Sequence, residues 1–180
     1  MTLDIHVPAG STGHDSLTVD ISAADAGWTY SGLRVAVLEA GEALALETGD
    51  YELLVLPLAG SAAVEVGGRT YDLTGRPSVF EEITDFLYVP RRTAFTLTSA
   101  AGGRFALPAA IAVRDLPVRH LGRDQVRTDL RGAGDCSRQV NNYALNNGVE
   151  TSHLLCCEVL TPGGNWSSYP AHKHDRKGAD

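Results

Sequence analysis

His172 and His174 flank Lys173 in the stretch TPGGNWSSYPAHKHDRKGAD, residues 161–180. On a β-strand, side chains two apart share a face, so the two imidazoles would point the same way. Neutral imidazole suits first-row divalent ions, and a pair at this spacing can hold one. A zinc-type site needs more: four protein ligands, or three and an open position. His153, Glu158, Asp175 and Asp180 could contribute, but none has ligand-like spacing. Tyr169-Pro170 biases the approach towards extended chain, because proline disfavours helix at the residue before it. A bare His-x-His equally suits a solvated, histidine-rich tail, so both readings stand at this point.

The elements that would position these histidines are β. LTVDIS, LRVAVLEA, ELLVLPLAG, AAVEVGG, FLYVP, AFTLTS and IAVRD are short runs rich in Val, Leu, Ile and Thr, punctuated by Gly, Pro, Asp and Ser. GGRTYDL follows AAVEV directly, as in a Gly-Gly hairpin. No helical period crosses these turns, so the pattern predicts an all-β sandwich or barrel, closed and antiparallel over roughly 17–112. Residues 113–142 read as an irregular inter-domain connection, and SHLLCCEVL (152–160) is β again. Gly132-x-Gly134 lacks the third glycine and the preceding strand of a dinucleotide fingerprint.

Charge divides the chain near residue 112. Residues 1–110 carry 6 Arg and no Lys against 14 acids, whereas 111–180 carry 9 basic residues against 8 acids. The whole chain stands at −7, which argues against a nucleic-acid-binding surface. No apolar run is long enough to span a membrane, and the first 30 residues lack the basic start and apolar core of a signal peptide. The 3 cysteines form no C-x-x-C pair and read as free thiols of a reducing, cytoplasmic setting. Asn165-Trp166-Ser167 matches a glycosylation sequon, which has no meaning without secretion.

A faint internal repeat links the two regions. Val37-Leu38-x-x-Gly41 recurs as Val159-Leu160-x-x-Gly163, and the same offset places His172 on Asp50 and His174 on Glu52. The repeat predicts a barrel without metal over 1–112, with Asp50 and Glu52 at the vacant ligand positions. It also predicts that 143–180 are the opening strands of a second, incomplete domain of the same kind. Strand edges left open in 152–175 would pair with the first barrel, pair with a neighbouring chain, or stay disordered. A homo-oligomer is the expected state.

GNWSSYPAHKHD (164–175) and GAGDCSRQVNN (132–142) resemble stretches of the bacterial 5-deoxyglucuronate isomerases of myo-inositol catabolism. These are double-cupin enzymes related to the 4-deoxy-L-threo-5-hexosulose-uronate ketol-isomerases of pectin breakdown. The resemblance spans nearly the whole chain, and the terminal motif is its specific part. It implies a cupin (jelly-roll) barrel followed by a second, metal-binding cupin from 143 onward. It implies that His172 and His174 bind a divalent ion, zinc or manganese, with a glutamate and a further histidine drawn from later strands. The ligand set within this chain would then be incomplete, and the chain alone weakly active.

The implied reaction is an aldose–ketose isomerisation of 5-deoxy-D-glucuronate to 5-dehydro-2-deoxy-D-gluconate. Its substrate is a small sugar acid whose carboxylate needs a cation. Arg138 is the candidate, because guanidinium binds carboxylate through two parallel hydrogen bonds. Surface pairing between the two regions is an equal use for that arginine. A competing expectation is a non-catalytic cupin fragment or sugar-binding module without a working metal site.

Overall fold

The computed structural model describes residues 6–145 and 149–170. The strands run in order β1 (Leu17–Ile21), β2 (Ser31–Leu38), β3 (Glu42–Glu47), β4 (Tyr51–Val66), β5 (Arg69–Arg76) and β6 (Phe86–Val89). There follow β7 (Ala94–Ser99), β8 (Gly103–Ile111), β9 (Arg119–Leu121), β10 (Arg127–Arg131), β11 (Arg138–Ala144) and β12 (Cys156–Leu160). One short helix, α1 (Ala23–Ala26), is opened by a Ser22–Asp25 capping box and closed by left-handed Gly27.

β4 is one bent strand where the sequence suggests two. ELLVLPLAG and AAVEV run on through Gly60 at φ +92, with register shifts against β8 between Pro57 and Ala59 and against β5 between Gly60 and Ala62. Its first half pairs with β8 and β6. Its second half pairs with β5 and β7. The bend carries the strand from one sheet to the other, as extra residues in a ladder do. One sheet is ordered β1-β2-β8-β4-β6-β9, and the second places β7 between β3 and β4, with β5 on the far side of β4.

The expected closed barrel is therefore a two-sheet, cupin-like sandwich joined through β4. Among the described residues β1 and β9 are free edges of the first sheet, and hydrogen bonding does not close it. The predicted Gly-Gly hairpin is present, with Gly67 at φ +57 and Gly68 at φ +78 joining β4 to β5. β3 (EALALE) and most of β8 (GRFALPAAI) were not among the expected strands.

Two cores explain the apolar runs. Leu53, Val55, Leu87 and Val89 face the core between the two sheets. Leu54, Leu56, Phe86 and Tyr88 alternate with them and face a second core on the other side of the first sheet. With both faces buried, alternation gives way to continuous hydrophobicity, which is why ELLVLP and FLYV read as they do.

The second core is completed by later residues: Leu121, Val126, Tyr143, Ala144 and Leu154. The stretch 113–142 is thus not irregular, since it holds β9, β10 and most of β11. β9 extends the first sheet by pairing with β6, while β10, β11 and β12 form a separate antiparallel sheet. Short strands such as RTDLR, polar on an exposed face, carry little apolar signal.

The repeat also looks different in three dimensions. Val37-Leu38 and Val159-Leu160 both end a strand, but the left-handed glycine is Gly41 in the first case and Gly164 in the second. The turn after β12 therefore flexes one residue later than the offset requires.

Candidate functional site

Two carboxylates fasten the later part of the chain to the sandwich: Glu158 of the three-stranded sheet, through Arg76 of the second sheet, and Glu52 of the first sheet, through the backbone that leads into β12. Arg76, at the end of β5, has no exposed side-chain surface, and its guanidinium meets Glu158 of β12 in a fork of 3.0 and 2.5 Å. Its Nε donates to Pro57 O at 3.0 Å, and NH1 donates also to Glu82 O at 3.0 Å. Asn141 of β11 donates its amide to Glu158 at 2.9 Å. A buried ion pair of this kind holds only because the remaining donors and lone pairs are satisfied. Tyr143 lies beside it, and burial first, then the Glu158 charge, pushes its phenol up to about 12.

Glu52 forms the second fastening. Oε1 accepts the backbone N–H groups of His153 and Leu154 at 2.6 and 2.7 Å, and Oε2 accepts Ser152 N and the Tyr88 hydroxyl at 2.7 Å each. Three successive N–H groups converging on one anion form a backbone nest. Desolvation, then the hydrogen bond to Glu52, drives the Tyr88 phenol well above its ordinary range. The nest explains why 152–154 are not strand although SHLLCCEVL reads as one: their donors are taken by a side chain.

Glu52 and Asp50, equivalent in the repeat, have opposite fates. Asp50 is exposed and meets Arg92 at 3.5 Å, whereas Glu52 is fully buried. Of the potential helpers of a metal site, Asp175 and Asp180 lie outside the described residues, and the other two are committed. Glu158 is held by Arg76, and His153 places Nδ1 at 2.7 Å from Ile111 O with its ring against Tyr30. Among the described residues no group of three or more His, Cys, Asp or Glu could hold a metal ion. His172 and His174 lie outside the described residues.

Arg138 opens β11 immediately after the turn 132–137. Gly132 sits at φ +81, where a Cβ would fall 2.1 Å from Cys136 O and 3.2 Å from Arg138 NH1. Only glycine fits there, and the space lets Arg138 donate to Cys136 O at 3.1 Å. The start of the terminal motif, around Asn165 and Trp166, folds back onto the same turn. Asn165 donates its amide to Ser137 O at 2.8 Å, and Trp166 N donates to Asp135 O at 2.8 Å. The two stretches that carry the family resemblance are thus in contact, although about thirty residues separate them.

These hooks bend 165–170 away from the extended approach expected before the histidines, and the Tyr169–Pro170 peptide is cis. A depression of about 530 Å³ opens beside the turn, lined by Arg131, Arg138, Ser137, Thr161, Leu160 and Pro162. On the face of the sheet turned away from the second core, Asp129 accepts from Arg131, Arg127 and Asn142 at 3.1, 2.9 and 3.2 Å. The Arg131 bond foremost, and the Arg127 and Asn142 bonds with it, hold its carboxyl below the usual carboxylate range.

Two β-sheets sharing a strand, with a third sheet fastened outside, define an all-β cupin-like protein. Comparison with known proteins narrows the class. The KduI/IolB family model matches residues 5–180, and the chain belongs to that family. The chain is 33% identical over 172 residues to a 5-deoxy-glucuronate isomerase of Geobacillus kaustophilus (strain HTA426), covering 94% of this chain and 62% of that one. It is 30% identical over 162 residues to a 5-deoxy-glucuronate isomerase of Bacillus subtilis (strain 168), covering 89% and 60%.

The chain therefore spans about three fifths of the length of the curated relatives it matches. Among solved structures, an IolB-like protein from Salmonella typhimurium LT2 superposes with a TM-score of 0.84 at 33% identity, over 92% of this chain and 64% of that one. No helix among the described residues is long and apolar enough to cross a membrane.

Proposed function

We propose that this chain carries the isomerase chemistry named for its relatives, converting 5-deoxy-D-glucuronate to 5-dehydro-2-deoxy-D-gluconate. Family membership over 5–180 supports the reading, and the observation that carries it is the contact between the 132–137 turn and the Asn165–Trp166 segment. That contact brings the strand bearing Arg138 to the approach to the histidine pair. In this reading the three-stranded sheet opens a second cupin, and 1–112 is the cupin-like sandwich that supports it.

His172 and His174 would hold a divalent ion, zinc or manganese, as one part of a site that needs at least three protein ligands. Such an ion supplies Lewis-acid polarisation of the sugar carbonyl and its neighbouring hydroxyl. The chain's own part is to hold the substrate. Arg138 would take the carboxylate, fixing the sugar end-on so that the carbon losing its proton keeps one orientation. Fastening by Glu52 and by Arg76–Glu158 keeps β11 and β12 from shifting under it.

The test joins this chain to the portion of the Geobacillus kaustophilus relative that it does not match. Metal content and isomerisation of 5-deoxy-D-glucuronate are then measured for the fusion and for the 180-residue chain. We expect the fusion to bind metal and turn over, the chain alone to do both weakly, and His172→Ala or His174→Ala to abolish turnover. A fusion that folds and binds metal but leaves 5-deoxy-D-glucuronate unchanged would sink the reading. Saturable sugar binding without turnover in every form would favour a sugar-binding module instead.

A further inference from the structure

We infer that Arg131 and Arg138 act as a pair, forming a carboxylate-binding subsite for a sugar acid in the depression beside the 132–137 turn. The ligand class rests on the isomerase reading above; the anion preference rests on the sheet itself. Arg131 and Arg138 are directly opposite partners in the β10–β11 ladder. Residues opposite one another in an antiparallel pair share a face, and like charges placed so repel.

The neighbouring pairs, Asp129 with Val140 and Arg127 with Asn142, show how the charge is distributed. Along this face one carboxylate, Asp129, stands against three guanidiniums, those of Arg127, Arg131 and Arg138. Asp129 is already shared by Arg127 and Arg131. Arg138 has only the neutral Cys136 carbonyl, and no acid pairs with it among the described residues. An unmatched guanidinium facing a second one is an arrangement that an incoming anion stabilises.

The depression beside the pair has the character of a small-ligand site. Its volume of about 530 Å³ suits a six-carbon acid. Ser137 and Thr161 line it with hydroxyl groups next to the arginines, while Leu130, Gln139 and Leu160, from the other face of the sheet, and Pro162 close its far side at the sheet's end. Gly132, where no Cβ fits, leaves the mouth of the turn open next to Arg138. A carboxylate bridging both guanidiniums would relieve their repulsion and leave the hydroxylated chain in the depression.

The experiment titrates the 180-residue chain, with chelator present, with D-glucuronate, D-glucose and inorganic phosphate, following amide resonances by NMR. Glucuronate should perturb residues 130–138 and 161–162, weaken with added salt, and outcompete phosphate; glucose should have no effect. Arg138→Ala and Arg131→Ala should each raise Kd about tenfold or more, with Arg138→Lys between, since it keeps charge without the fork. Unchanged spectra elsewhere certify folding of each variant.

Absence of glucuronate binding, binding unaltered by both alanine variants, or phosphate binding as tightly overturns the assignment. The outcomes separate from those of the isomerase test. Glucuronate binding with no turnover in any form sinks the reaction and leaves the subsite. Turnover in the fusion with KM untouched by Arg131→Ala and Arg138→Ala sinks the subsite and leaves the reaction.

Discussion

Asp50 and Glu52 occupy the same spacing as the terminal histidine pair, yet only one of them matters to the fold. Glu52 neutralises three backbone donors and a phenol in a site closed to water. Glu52→Gln would turn an amide N–H₂ towards N–H groups and remove the charge. We expect a loss of about 3 kcal/mol in denaturant unfolding. Asp50→Asn, at an exposed pair with Arg92, should stay within about 0.5 kcal/mol. Equal effects of the two changes would contradict the nest.

The sequence singled out Glu52 by its offset from His174 but could not show its role, because its partners lie about a hundred residues away. Arg76 gave no signal at all. TGRP reads as a turn, and the carboxylate it meets is 82 residues on. Arg138 is a candidate in the sequence because it lies in GAGDCSRQVNN and guanidinium suits a carboxylate, whereas its ladder partner Arg131 is not, since cross-strand register is invisible in a single chain.

At the scale of elements, what the sequence shows best is whatever is local. The β4–β5 hairpin is written in Gly67-Gly68, and β1, β6 and β7 fall on their apolar runs. Continuity of β4 is not legible, because a glycine between two apolar runs reads as a break. Its bend depends on a contact from the next strand: a Cβ on Gly75 would lie 1.8 Å from Gly60 O, at φ +66.

Gly75→Ala should therefore cost about 3 kcal/mol and lower Tm by several degrees. Gly67→Ala, also left-handed at φ +57 but with nothing within 4 Å of a new Cβ, should cost only about 1 kcal/mol. Calorimetry on the two variants distinguishes steric contact from backbone preference. β10 and β11 escaped the sequence for a related reason. Arginine, aspartate and asparagine make up much of both strands, and even the buried Asn141 and Asn142 are polar, so hydrophobic periodicity has little to register.

For the molecule as a whole, the second core sets a limit in alkali. Burial foremost pushes the Cys156 thiol from its ordinary value near 9.0 up to about 12, and the Tyr143 phenol from 10.0 to about 12. Between those values the unfolded chain has released protons that the folded chain still holds. Stability is therefore fully present below about pH 9 and falls as pH rises towards 12. Urea midpoints measured from pH 7 to 10.5 should be flat at first and then decline, and Cys156→Ser and Tyr143→Phe together should flatten the decline. A midpoint that rises above pH 9 would reverse the sign and refute the assignment.

The bend in β4 carries a consequence for how this chain folds. Because the strand belongs to both sheets, neither can be finished on its own. The first half waits for β8, whose Ile111 must reach Tyr51, and the second half waits for β7. Each requires a long loop to close before any reward arrives, and chains dominated by such distant pairings fold in milliseconds to seconds rather than microseconds. The strand that makes the two sheets one unit thus gathers its partners only across long stretches of chain.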